Sequence, residues 1–228
     1  MAVFTDADIE KILCDTENWV SPEDTLWIYP CGDDSLTPVG YDLRVGDQYS
    51  SSSRPGPRPL SQGESLPIRP GETVLVKTLE SVGMPRNGSL SGLICSKVSV
   101  VAQGLSHIST TIDADWRGEL LLAINNNGNA TVHIKFGQEI ATAVFLENQS
   151  KPTREAGHPP GRSDIILAQW AEVFRKTRMR DQALFWLRPA LVLSAFGIGL
   201  TLFGNAPGTT AAVAAGVAVS QLLPRGHR

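Results

Sequence analysis

The sequence has few cysteines and no pattern among them: Cys14, Cys31 and Cys95 are the three present, far apart and odd in number. That argues against a disulfide framework, and without a CxxC pair it offers no zinc site. A reducing compartment suits such a chain. The start "AVFTDADIEKIL" lacks the basic region and long apolar core of a signal peptide, so the N-terminal part is expected not to be exported. Walker-type loops, HExxH, GxSxG and dinucleotide fingerprints are also missing, and no internal repeat stands out. "GNAPGTT" is glycine-rich but follows no strand and has no lysine, which makes it a poor phosphate loop. An excess of positive charge is absent too: with a formal net charge of -3, neither a polyanion groove nor a nucleic-acid partner is expected.

Charge is missing altogether from "PALVLSAFGIGLTLFGNAPGTTAAVAAGVAVSQLLP", residues 189 to 224. Split at "GNAPGTT", this stretch suits two apolar helices of about 16 to 22 residues, against about 20 for a membrane span and about 17 at the lower limit. Arg175, Lys176, Arg178 and Arg180 precede the hairpin and "RGHR" follows it, which predicts both ends on the cytoplasmic side. The expectation is a cytoplasmic domain attached to the inner, cytoplasmic membrane. The alternative is a buried helical hairpin at an oligomer interface, since its Gly and Ala content permits close packing in any setting.

What is present elsewhere is mostly strand. "TDADIEKIL" opens with a Thr/Asp cap and carries Ile9, Ile12 and Leu13 at helical spacing, predicting a short helix over 5 to 14. From "TLWIYP" to "AVFLEN", short runs rich in Val, Ile and Leu are broken by Gly, Pro, Asn and Asp, the pattern of an all-β barrel or sandwich. The polar, proline-rich stretch at 50 to 65 reads as a mobile loop. The predicted organisation is a β domain over 1 to 147, a linker over 148 to 163, an amphipathic basic helix over 164 to 188 capped by Ser163, and the apolar hairpin.

The ordered stretches "TDADIEKIL", "PVGYDLRVGDQY", "LPIRPGETVLVKTLESVGMP", "GLICSKVSVVAQGLS", "TIDADWRGELLLAINNNG" and "VHIKFGQEIATAVF" together resemble the dCTP deaminase and trimeric dUTPase superfamily over most of residues 5 to 147. The resemblance implies a mainly β fold, a distorted β-barrel with a short N-terminal helix, assembled as a homotrimer with nucleotide sites between subunits. The implied ligand is a deoxynucleoside triphosphate, with Mg2+ carried on the triphosphate rather than in a protein cage.

Taken residue by residue, the resemblance places Asp113 where a dUTPase acid touches the sugar and orients the attacking water. Trp116, followed by Arg117, stands where an aromatic packs under the deoxyribose. Ser96 matches the phosphate-contacting Ser, but the preceding Arg is replaced by Cys95, with Lys97 displaced by two positions. The deaminase Glu that shuttles protons corresponds to Ala123, and the phosphate-side Arg to Val100. A methyl group cannot shuttle protons, so deamination by the family mechanism is not expected. Only "REAGHPPGRS", with Arg154 and Arg162 but no Phe, could supply a closing arm. Blander readings stand beside these: Asp42 and Arg44 pair across strands instead of touching ligand, Asp113 and Asp115 are turn acids, and His107 and His133 are strand residues without function. Three functions follow: a catalytically degenerate nucleotide sensor coupled to the hairpin, in the manner of a defence effector, a membrane-tethered Mg-dependent nucleotide diphosphatase, or a structural trimer without ligand.

Overall fold

The computed structural model describes residues 2–18, 23–54, 56–107, 109–155, 157–168 and Glu172. Contacts divide the chain at Gln169, and the predicted hairpin at 189 to 224, with most of the basic helix before it, lies outside the described residues. Among those described, no helix is long and apolar enough to cross a membrane.

Helix α1 covers Asp6–Ile12. The Asp8 carboxylate accepts hydrogen bonds from the Thr5 backbone N–H at 3.2 Å and the Thr5 hydroxyl at 2.8 Å, tying down the first turn. The helix stops short of the predicted end at 14, because Leu13–Cys14 (β1) pair in parallel with Leu26 and Trp27 of β2 (Leu26–Tyr29). Strand pairing outweighs helical spacing there.

The remaining strands are β3 (Leu36–Thr37), β4 (Gly40–Ser51), β5 (Arg58–Pro59), β6 (Ser65–Ile68) and β7 (Thr73–Gly83). They continue as β8 (Leu90–Ser96), β9 (Leu105–His107), β10 (Thr110–Ile112), β11 (Arg117–Asn126), β12 (Val132–Lys135) and β13 (Glu139–Glu147). A short helix α2 (Val98–Val101) lies between β8 and β9.

The main sheet runs β1-β2-β7-β4-β13-β8-β10, with β11 pairing β7 and β9, while β6 and β12 form a separate antiparallel pair. This is the expected mainly β, distorted barrel. Its ladder is not closed by hydrogen bonds between β8 and β9 among the described residues.

Alternation explains the core. Along β7 the inward positions are Val74, Val76, Thr78, Glu80 and Val82, each at most 2% exposed. They meet Tyr41, Leu43 and Val45 of β4 and Phe145 of β13, all fully buried. Gly46 lets β4 cross β7 closely, since a Cβ there would lie 2.6 Å from the Thr78 carbonyl oxygen.

The stretch at 50 to 65 is more ordered than the predicted mobile loop. Arg58 and Pro59 pair with Tyr49 and Gln48, Leu60 is buried, and the Ser51 and Ser53 hydroxyls both donate to Glu72. Segment 148 to 163, read as a linker, starts pinned to the β7–β8 turn. The Asn148 backbone N–H donates to Ser89 at 2.7 Å, its side-chain amide donates to Gly88 at 2.9 Å, and Ser91 donates back at 2.8 Å. Pro160–Arg162 form a 3-10 turn packed against β11. Ser163 is already in helical conformation there, as the first residue of the helical run 163–168 rather than a cap outside it.

Candidate functional site

"TIDADWRG" folds as a turn between β10 and β11. The Trp116 backbone N–H donates to the Asp113 carbonyl at 2.9 Å, its indole N–H donates to the Gly118 carbonyl at 3.0 Å, and Gly118 takes φ 111°, a conformation that favours glycine. Met84 fastens the turn to the end of β7 by donating to the Trp116 carbonyl at 3.0 Å. Trp116 is 8% exposed and belongs to the core. Asp113 is half-buried at the tip.

Beside this turn lies a pocket of about 690 Å³ whose lining includes Asp113, Asp115, Trp116 and Arg117 together with Arg86, Lys151, Arg154, Glu155 and His158. Arg86 comes from the β7–β8 turn, and Lys151 and Arg154 come from the irregular segment that follows Asn148. None of the ion pairs among the described residues uses Arg86, Lys151 or Arg154. Asp115 and Arg117 are each engaged in further interactions of their own. Uncommitted cations facing a half-buried carboxylate suit an anionic ligand that also carries hydroxyl groups.

Ser96 and Lys97 sit elsewhere. Ile112 lies opposite Gly92 in the β10–β8 ladder, and β8 then runs on to Ser96, which puts Ser96 about 15 Å from Asp113 at about 3.3 Å per residue. The exposed Ser96 hydroxyl is 2.8 Å from Nδ1 of His107. Lys97 lies between two carboxylates, bonded to Asp42 and, at 2.6 Å, to Glu139. Asp42, 6% exposed, also accepts from the Thr142 hydroxyl at 2.5 Å. Burial works against the Lys97 charge, but the hydrogen bonds to Asp42 and Glu139 outweigh it and hold the ammonium above its ordinary pKa.

Arg44 lies opposite Glu139 in the β13–β4 ladder but pairs elsewhere. Its Nε donates to Glu80 at 2.5 Å, its backbone N–H donates to the same carboxylate at 2.9 Å, and Nη2 donates to the Pro30 carbonyl at 2.8 Å. The Glu80 side chain is fully buried, and burial pushes its carboxyl above the usual range although Arg44 pulls the other way. Asp42 and Arg44 therefore both pair across strands, but with Lys97 and Glu80 and not with each other.

At the two positions where the deaminase groups would stand, Ala123 is exposed opposite Leu75, and Val100 is 7% exposed and packed in the core. Neither supplies an acid or a cation to Ser96. Among the described residues no group of three or more His, Cys, Asp or Glu side chains is placed to hold a metal ion.

Of the residues singled out from sequence, the fold brings together Asp113, Trp116 and Arg117, and separately Ser96, Lys97 and Asp42. Sequence reasoning named His107 only as a strand residue and did not single out Glu80, Glu139 or the rim cations Arg86 and Lys151. Only Glu80 left a readable signal, an acid at an inward position of an alternating strand.

A family profile described as dCTP deaminase-like matches residues 12–148. A dCTP deaminase of Pyrococcus horikoshii is 28% identical over 145 residues, 63% of this chain and 90% of the relative. A deoxyuridine 5'-triphosphate nucleotidohydrolase of Desulfitobacterium hafniense is 34% identical over 92 residues, 38% of this chain and 58% of the relative. The crystal structure of a 2'-deoxycytidine 5'-triphosphate deaminase from Agrobacterium tumefaciens superposes with a TM-score of 0.51 at 18% identity, covering 64% of this chain and 48% of that one. That last likeness is one of fold.

Proposed function

The chain belongs to the dCTP deaminase-like family, and from that premise we propose that it binds a deoxynucleoside triphosphate beside Asp113 and does not deaminate it. The observation that carries this reading is the pocket of about 690 Å³ that joins Asp113 to the uncommitted cations Arg86, Lys151 and Arg154. Asp113 accepts from a sugar hydroxyl, and the cations neutralise an anion. Mg2+ enters as part of the substrate, chelated by phosphate oxygens.

Loss of deamination rests on Ala123. Attack of water at C4 needs a group that takes a proton from the water and returns one to the leaving amine, and the exposed Ala123 offers only a methyl. The reading includes a homotrimer, supported by the separation of Ser96 from Asp113: one copy contributes the Asp113 turn and a neighbour contributes the exposed Ser96 hydroxyl.

A second reading is favoured by Asp113 itself. A half-buried carboxylate facing a cationic rim has the parts needed to position water against a phosphorus atom, the chemistry of a nucleotide diphosphatase. Incubating the full chain with dUTP, dCTP and the other nucleoside triphosphates plus Mg2+, with products and melting temperature followed together, decides between them. The binding reading expects stabilisation of about 2.7 kcal/mol at a hundredfold excess over Kd and no turnover. Pyrophosphate release that disappears in Asp113→Ala establishes the enzyme instead. No shift with any nucleotide overturns both and leaves a structural trimer.

As its output, the proposal assigns a nucleotide-dependent effect on membranes to the apolar segment 189 to 224, which places the β domain on the cytoplasmic face and suits a defence effector. Its support is the sequence pattern of an uncharged hairpin flanked by Arg and Lys. Vesicles whose leakage is the same with and without each deoxynucleotide would refute it.

A further inference from the structure

We infer that His107 is a positioning residue for nucleotide binding: it holds Ser96 as a hydrogen-bond donor by presenting its own Nδ1–H to the Ser96 oxygen. The inference rests on the proposed nucleotide site, in which Ser96 meets a phosphate oxygen.

Phosphate oxygens only accept hydrogen bonds, so Ser96 helps to bind one only if its hydroxyl hydrogen is free. The Ser96 oxygen and His107 Nδ1 are 2.8 Å apart, and the bond can run either way according to the tautomer. If Nδ1 is the bare nitrogen, Ser96 donates to it and turns lone pairs toward solvent, which repels an anion. If Nδ1 carries the hydrogen, Ser96 accepts and its own O–H points outward.

The surroundings of the ring select the second arrangement. Nε2 is buried and has no hydrogen-bond partner. His107 lines a residual space of about 10 Å³ together with Val100, Leu105, Leu122, Ile124 and Ile140, and with Ser96 and Ser106. A space of that size is at the lower limit for a single water, so it does not relieve Nε2. A buried orphan N–H is rarer in folded proteins than an under-used acceptor, which disfavours hydrogen on Nε2. The Ile94 carbonyl favours the charged ring, but it does not outweigh burial. Protonating both nitrogens would put charge into the apolar space, and burial accordingly holds His107 below the ordinary histidine range despite the Ile94 contact.

The bond also spans a seam. Ser96 ends β8, paired with Ala141 of β13, whereas His107 ends β9, paired with Ile124 of β11. A purely structural role would be to hold that seam shut, and the test has to separate the two roles.

The full chain labelled with 15N in its histidine rings gives the tautomer directly: a pyrrole-type shift at Nδ1 and a pyridine-type shift at Nε2 of His107 are expected near neutral pH. The reverse assignment overturns the inference whether or not any nucleotide binds. Affinity for a non-hydrolysable dUTP analogue with Mg2+ is then compared among variants that retain the native fold by melting. His107→Phe, which fills the space but cannot donate, is expected to weaken binding about tenfold, and Ser96→Ala similarly. The double variant is expected to lose no more than either single one, and His107→Asn, whose amide N–H can take the place of Nδ1–H, is expected to recover most of the affinity. Additive losses, or wild-type affinity in His107→Phe, would show that His107 only closes the seam. A wild-type chain that binds no nucleotide but has the expected tautomer refutes the proposed function and keeps the assignment of Ser96 as a donor.

Discussion

Asp113 and Ser96 stand at opposite ends of the β8–β10 ladder, with Ile112 opposite Gly92 and Ser96 at the far terminus of β8. That separation motivates the proposal that the site is shared between copies. Asp113→Ala chains refolded together with Ser96→Ala chains are therefore expected to regain binding of the dUTP analogue. In randomly mixed trimers about a quarter of the interfacial sites pair an intact Asp113 with an intact Ser96. Titration of the mixture checks this, and a mixture no better than either variant alone would mean that the site does not cross subunits.

Lys97 is held by Asp42 and Glu139 and has no charge to spare for a ligand. Lys97→Met is expected to destabilise the fold by about 2 kcal/mol, because the nearly buried Asp42 is left without its cation. Its effect on affinity for tripolyphosphate is expected to be slight, whereas replacing Arg86, Lys151 and Arg154 together by glutamine should weaken that affinity at least about tenfold. Urea unfolding and titration calorimetry give the two quantities.

Arg44 and Glu80 form a structural pair in the barrel interior, with the Glu80 side chain fully buried. Glu80→Ala is expected to cost about 3 to 5 kcal/mol of stability, since it strands the guanidinium between β4 and the Pro30 carbonyl. Urea denaturation measures it; a loss under about 1 kcal/mol would mean the pair is dispensable.

Glu72 supplies a pH dependence. Burial raises its carboxyl pKa, but hydrogen bonds from Ser51, Ser53 and the Arg69 backbone outweigh that and bring it below the ordinary 4.5. A carboxyl depressed in the folded state binds fewer protons than in the unfolded chain. Its contribution is therefore fully present above about 4.5 and is lost as pH falls through the folded value. The stability difference between wild type and Glu72→Gln should shrink as pH drops below that point, followed by urea unfolding at a series of pH values.

Much of the barrel was legible because strand alternation and turn chemistry are local. The runs from "TLWIYP" to "AVFLEN" carry their own spacing, and the Asp113 turn is written in "DADWRG". The end of α1 was misread for the opposite reason: Leu13 and Cys14 have helical spacing, and only their parallel pairing with Leu26 and Trp27 makes them strand. The loop at 50 to 65 was misread likewise, since its order comes from Glu72, distant in sequence.

The sequence by itself determined the fold class and the acid at the hairpin tip, because each is a property of one residue or one short pattern. Only the tertiary structure decided which charges remain available. It paired Lys97 with Asp42 and Glu139, sent Arg44 to Glu80, set His107 against Ser96, and left Arg86, Lys151 and Arg154 at the rim outside the ion pairs among the described residues. Charge pairing depends on which strands become neighbours, and spacing along one chain does not encode that.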